Sequence, residues 1–153
     1  MINKIMAISR ATMEIWNRKR LIDDKIAVIS IVNSDMDFIF NNETDNLIQM
    51  KFDDIEPITF MRCFSVEDMI MMNREHATRI IEFIMKHEND EKEKSLIINC
   101  SAGICRSGAI ASFAFNICSV KDIDFANDCN HIQPNNWVLN LLAATFKERK
   151  KEN

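Results

Sequence analysis

Glycine is confined to one short stretch of this chain. The 153-residue sequence contains two glycines, Gly103 and Gly108, whereas an average chain of this length would contain about ten. A sequence that uses glycine so sparingly is expected to keep it where the backbone turns tightly or approaches a ligand. The residues around Gly103 therefore constrain the fold more than any other part of the sequence.

Those residues form a predicted strand, loop and helix. The run Ser95–Asn99 is typical of a short buried strand, and the apolar run Ser107–Ser119 predicts a central helix. Between them the loop is expected to wrap with successive backbone N–H groups pointing inward, which makes an anion-binding nest at a helix N-terminus. Gly103 permits that wrap.

The rest of the chain alternates between strand and helix patterns. A continuous apolar run such as Lys25–Val32 is typical of a buried parallel strand, and Asn33–Asp45 is polar and predicts a loop or hairpin. The sequence therefore predicts a single α/β domain, residues 1–153, with a mostly parallel central sheet flanked by helices. The other predicted strands are Lys4–Ile8 and Leu47–Phe52, and the other helices lie near Ala11–Arg18, from Ser65 to about His87, near Asp122–Asn130 and Asn135–Lys150.

Composition excludes several functional classes. Apolar residues make up 47% and charged residues 27% of the chain, and the net charge of −4 argues against a general nucleic-acid binder. No apolar run is long enough to span a bilayer, and the start lacks a signal-peptide cleavage site. We expect a cytoplasmic monomer with no nucleic-acid or membrane partner. Five cysteines without metal-ligand spacing predict no metal site.

The loop itself contains the groups needed for phosphoryl transfer to a thiol. Cys100 is the candidate nucleophile, and Arg106 offers a planar fork that can hold two phosphoryl oxygens. The helix N-terminus favours the thiolate form of Cys100, and Ser107 can hydrogen-bond the sulfur. The candidate phosphate-binding residues are Ser101, Ala102, Gly103, Ile104, Cys105 and Arg106.

Two separate segments carry a family resemblance. The stretch Leu96–Ser107 (LIINCSAGICRS) resembles the phosphate loop of protein tyrosine and dual-specificity phosphatases, whose pattern is HCxxGxxRS. Downstream, Ile132-Gln133-Pro134-Asn135 and the apolar residues after it resemble a second segment of the dual-specificity enzymes. The resemblance extends over Ile26 to Phe146, and the chain most resembles the small bacterial-type members. It implies an α/β fold, a cysteinyl-phosphate intermediate and no metal or other cofactor.

The resemblance also implies a general acid on a loop after a strand upstream of Cys100. Asp54, which follows the predicted strand Leu47–Phe52, matches that position best, and Asp53 is the second choice. Asp68 and Asp90 are weaker candidates, the first as a helix-start residue and the second as surface charge.

Two residues depart from the family pattern. Asn99 stands where the family usually has His, and the change is expected to reduce the reactivity of Cys100. Cys105 stands where dual-specificity enzymes usually have Ser. Low-molecular-weight tyrosine phosphatases have a similar loop, which suggests a reversible Cys100–Cys105 disulfide as an alternative to a packing role for Cys105.

The lining of the loop bears on the substrate. No Lys or Arg lies between Cys100 and Arg106, which disfavours a highly phosphorylated lipid. A phosphorylated protein or a small phosphomonoester fits better, through tyrosine or dual-specificity phosphatase activity. The alternatives left open are a phosphate-binding pseudophosphatase, an arsenate reductase and a rhodanese-like sulfurtransferase.

Overall fold

The chain folds around one parallel sheet. A computed structural model describes residues 1–56, 69–126 and 131–153, and the five strands in those ranges all run parallel. Their spatial order, β3-β2-β4-β1-β5, puts β4 in the middle. The strands are β1 (Ile2–Ser9), β2 (Ile26–Val32), β3 (Leu47–Lys51), β4 (Lys94–Cys100) and β5 (Ile123–Ala126).

Four helices in the described ranges flank this sheet, which confirms the predicted α/β class. They are α1 (Arg10–Arg18), α2 (Arg74–Glu88), α3 (Arg106–Ile117) and α4 (Asn136–Glu152). Side chains cap three of them, because Ser9, Asn73 and Asn135 each accept a hydrogen bond from a backbone N–H of the first turn. The N-terminus of α3 has no side-chain cap.

The sheet separates two apolar clusters. The larger one packs buried residues of α2, α3 and α4 against one face of the strands, and the smaller one places Met13 of α1 against the other. Helix α3 lies at the centre of the larger cluster, with eight buried residues from Arg106 to Ala114. Burial on nearly all sides explains why its sequence is apolar throughout rather than striped.

One predicted helix is wrong. The run Asp122–Asn130 was expected to be helical, but Ile123–Ala126 forms β5, which pairs in parallel with β1 from Ile5 to Ile8. Four residues are too few to show a helical or a strand period in the hydrophobic pattern. Their conformation is determined by pairing with the free edge of β1. Residues 127–130 lie outside the described part of the chain.

The second predicted helix begins later than expected. Ser65 and Asp68 lie outside the described residues, but residues 69–73 are not helical and α2 starts at Arg74. Asn73 and His76 form a reciprocal capping box, which fixes the N-terminus of α2 at this position. Before it, the Ile70 carbonyl oxygen accepts a hydrogen bond from the Asp53 N–H and the Ile70 N–H donates to the Asp53 carboxylate, which ties that segment to Asp53.

The remaining predicted strands and helices match the structure to within about two residues at each end. In the described part of the chain, none of the helices has the length and apolar character needed to cross a membrane. The single-domain assignment stays a prediction.

Candidate active site

The phosphate loop follows β4 and leads directly into α3. Three of its carbonyl oxygens accept hydrogen bonds from outside the loop: Ser101 from the Arg10 N–H at 3.2 Å, Ile104 from Gln133 at 3.3 Å and Cys105 from Asn135 at 3.1 Å. A trans peptide unit points its N–H opposite to its C=O. The N–H groups that follow these carbonyls therefore point away from these outside partners, and their role as an anion nest stays a prediction.

Gly103 lets this loop pack tightly against the end of β1. Its φ is +74°, a conformation that side chains strongly disfavour. A Cβ atom there would lie 2.5 Å from the Ile8 carbonyl carbon and 2.7 Å from the Ser9 nitrogen. Both the backbone angle and the space therefore require glycine at this position.

Cys100 is the last residue of β4 and lies at the base of the loop. Only 2% of it is exposed, and its Sγ lies 3.1 Å from the Ser107 Oγ. Ser107 belongs to the first turn of α3 and is fully buried. The structure thus brings together the predicted nucleophile and the hydroxyl predicted to hydrogen-bond it.

Arg106 is the first residue of α3, and its side chain connects the phosphate loop to Phe52, which follows β3. Its Nη1 donates to the Phe52 carbonyl oxygen at 2.8 Å, and its Nη2 donates to the Ser101 hydroxyl at 3.0 Å. The residue is 3% exposed, and its Nε has no hydrogen-bond partner among the described residues. A buried, partly unsatisfied guanidinium is costly unless an anion completes its hydrogen bonds.

The two candidate acids point to different places. The Asp53 carboxylate accepts hydrogen bonds from the Ser34 hydroxyl at 2.6 Å and from the backbone N–H groups of Ser34 and Ile70 at 3.0 and 2.7 Å. Burial alone raises the pKa of Asp53, but these hydrogen bonds outweigh it and the net pKa is lowered. Asp53 is therefore a structural carboxylate that joins two segments.

Asp54 instead faces the phosphate loop. Its Oδ1 accepts a hydrogen bond from the Asn135 side-chain amide at 2.8 Å, and its carboxylate lies close enough to the Cys105 thiol to raise the pKa of that thiol. Of the two neighbours, Asp54 has the position expected of an acid next to the loop. Its catalytic role stays a prediction. Asp68 lies outside the described residues, and Asp90 hydrogen-bonds Lys92 at the start of β4, the end opposite Cys100.

Cys105 shares this environment. Burial, followed by the nearby Asp54 carboxylate, raises the pKa of the Cys105 thiol to about 11, so it is a neutral thiol at pH 7. Cys100 and Cys105 are both free cysteines, and the charge of Cys100 contributes to the raised pKa of Cys105. The reversible disulfide between them stays a prediction.

Asn99 does not brace the loop in the way the family histidine would. It is fully buried, and neither its Oδ1 nor its Nδ2 has a hydrogen-bond partner in the described part of the chain. Ser30, its register partner on β2, is also buried and its hydroxyl is likewise unpartnered there. The expected reduction in the reactivity of Cys100 stays a prediction.

Three contributors to the site were not identified from the sequence. The Phe52 carbonyl binds Arg106, Ser34 binds Asp53, and Asn135 reaches both Asp54 and the loop. A backbone carbonyl has no sequence signature. Asn135 has a sequence signature, since it ends the Ile-x-Pro-Asn segment. That segment indicates a family resemblance but does not predict the contact with Asp54.

One of three comparisons with known proteins gives a match, and that match agrees with the predicted superfamily. The family model for protein-tyrosine phosphatase matches residues 68–138, a segment that contains the whole phosphate loop and Asn135 but not Asp53 or Asp54. Comparison with curated proteins and with solved structures gives no significant match. The family match supports assignment of the chain to the cysteine-dependent protein tyrosine phosphatase superfamily, as its motif predicts.

Proposed function

We propose that this chain is a metal-independent phosphomonoesterase, a tyrosine or dual-specificity protein phosphatase, that acts through a cysteinyl-phosphate intermediate at Cys100. The observation that carries the proposal is the loop geometry: a cysteine hydrogen-bonded by Ser107 lies at the base of a nest whose carbonyls point outward. The uncapped N-terminus of α3 adds a partial positive charge there.

In the first step the Cys100 thiolate attacks phosphorus and forms the S–P bond. The bond between phosphorus and the ester oxygen breaks, and its electron pair stays on that oxygen, which takes a proton from Asp54. The inward N–H groups and the Arg106 guanidinium stabilise the charge on the three phosphoryl oxygens.

In the second step water attacks the phosphorus of the intermediate. Asp54, now ionised, accepts a proton from that water, and the S–P bond breaks with its electron pair returning to sulfur. Ser107 donates a hydrogen bond to the departing thiolate at the observed contact with Cys100. Inorganic phosphate leaves and the enzyme is restored.

Hydrolysis of an aryl phosphate in the presence of a chelator tests the proposal. The wild type is expected to turn over, and Cys100→Ser is expected to lose at least about 1,000-fold in kcat because a serine hydroxyl is not ionised near pH 7. Cys118→Ser is the matched control, since Cys118 follows the far end of α3. Absence of Cys100-dependent turnover by folded protein would contradict the proposal.

A phosphate-binding pseudophosphatase is the second candidate. One observation favours it: the side-chain amide of Asn99 has no hydrogen-bond partner among the described residues with which to support the loop. This candidate predicts that a phosphotyrosine peptide binds to the wild type without being hydrolysed, and that Arg106→Ala abolishes the binding. Turnover that depends on Cys100 excludes it.

A further inference from the structure

Asn135 lies where three parts of the candidate site meet. Its backbone N–H donates to the Cys105 carbonyl oxygen at 3.1 Å, and its side-chain Oδ1 accepts from the Val138 N–H at 3.1 Å to cap α4. Its Nδ2 donates to the Asp54 Oδ1 at 2.8 Å and lies 3.2 Å from the Ile55 carbonyl oxygen. One residue therefore contacts the phosphate loop, helix α4 and the segment that carries the candidate acid.

The capping function alone does not explain these contacts. Ser, Thr, Asp and Asn all cap helices well through a side-chain oxygen, and Ser9 does so for α1. The contact with Asp54 uses the amide nitrogen, which serine and aspartate lack. Asn135 is 5% exposed and Asp54 is exposed, so the hydrogen bond between them is part-buried, and the Asn135 amide would lose a partner if Asp54 moved away.

The contact also orients the carboxyl group. An amide N–H that donates to Oδ1 leaves Oδ2 to carry the proton that a general acid must deliver. Because the same residue is hydrogen-bonded to the Cys105 carbonyl, a movement of Asp54 away from the loop would break the part-buried hydrogen bond between Asp54 and Asn135. Misplacement of a catalytic group by about 1 Å can lower a rate by about 100-fold.

We propose that Asn135 is a positioning residue that holds Asp54 over the phosphate loop. The proposal rests on the proposed function, in which Asp54 protonates the leaving group. It predicts a defect that depends on the leaving group, because an acid is needed for a basic leaving oxygen and contributes little when that oxygen is already a stable anion. Loss of the helix cap alone would lower the free energy of unfolding but would not make the fall in kcat depend on the leaving group.

Asn135→Ser is the decisive variant, since serine retains the cap and the backbone bond but has no amide. The expected result is a fall in kcat of about 10- to 100-fold on an alkyl-type or phenyl phosphate and less than about threefold on a dinitrophenyl phosphate. Asn135→Asp, which also caps but faces Asp54 with a carboxylate, should show the same selectivity. Asn136→Ser is the matched control, because its side chain is exposed.

Equal effects on both substrates, or wild-type activity in Asn135→Ser, would overturn the proposal. A second measurement needs no turnover: the side-chain amide resonances of Asn135 are compared by NMR in the wild type and Asp54→Ala. A clear shift is expected, whereas unchanged resonances would contradict the contact. A wild type that shows the contact but no Cys100-dependent hydrolysis would refute the proposed function and leave the contact with Asp54 intact.

Discussion

Asp53 and Asp54 are adjacent in the sequence, yet their carboxylates serve different parts of the molecule. Asp53 faces Ser34 and Ile70, and Asp54 faces Cys105 and Asn135. The backbone bends at Asp54, where the Ile55 N–H donates to the Asp53 carbonyl oxygen, so the two neighbouring side chains reach different environments. The sequence identifies the pair as candidates, but the contacts that distinguish its members come from residues 17 to 81 positions away.

Asp54→Ala is therefore expected to affect chemistry more than folding. Loss of the proton donor should lower kcat on phenyl phosphate by about 100-fold or more, with little effect on dinitrophenyl phosphate. Steady-state kinetics with both substrates measures this, and Asp122→Ala on the exposed segment before β5 is the control. A loss of the same size on both substrates, or none on either, would contradict the assignment of Asp54 as the acid.

At the scale of the element, β4, its loop and α3 were predictable because their signals are local. A buried apolar run, a glycine and a second apolar run follow one another within 25 residues, and the structure gives Lys94–Cys100 and Arg106–Ile117. Strand β5 was not predictable in the same way. Its four residues become a strand through pairing with β1, a partner more than 100 positions earlier.

Gly103→Ala tests the backbone conformation of the phosphate loop. The added Cβ would meet the backbone of Ile8 and Ser9 while φ stays near +74°. We expect a loss of about 3 kcal/mol in the free energy of unfolding and a nearly complete loss of hydrolysis. Urea denaturation followed by circular dichroism measures the first, and an aryl phosphate assay the second.

Gly108→Ala is the comparison for that experiment. Its Cβ would meet the Ile132 side chain at 2.8 Å rather than backbone atoms, and alanine is favoured over glycine inside a helix. A smaller loss of stability is therefore expected than for Gly103→Ala. If Gly103→Ala were as stable and active as the wild type, the described loop conformation would be wrong.

At the scale of the whole molecule, the candidate site joins segments that are far apart in the chain. Arg106 binds a carbonyl 54 positions earlier, and Asn135 binds Asp54 across 81 positions. The contiguous loop could be read from the sequence because its residues follow a strand and precede a helix. The supporting contacts could not, because they depend on the strand order β3-β2-β4-β1-β5, which brings these segments to one edge.

The Asp53 carboxylate links stability of the whole fold to pH. Its pKa is lowered in the folded state, so its contribution is present above the unfolded value of about 4 and is lost as pH falls through the folded pKa. Asp53→Asn should therefore lower the free energy of unfolding by about 2 kcal/mol at pH 7 and by less at pH 3. Urea denaturation of both proteins at the two pH values measures the difference. An equal difference at both pH values would mean that the charge of Asp53 does not contribute.

The central claim is that Cys100 forms a covalent phosphate intermediate, and the most direct measurement is its capture. The protein is mixed with an aryl phosphate, quenched rapidly in acid, digested and mapped by mass spectrometry, with Ser107→Ala used to slow release of the thiolate. We expect one phosphoryl group on the peptide that contains Cys100. A larger fraction of this peptide should be phosphorylated in Ser107→Ala than in the wild type, and none of it in Cys100→Ser. Hydrolysis without phosphate on Cys100, or phosphate on another residue, would contradict the account.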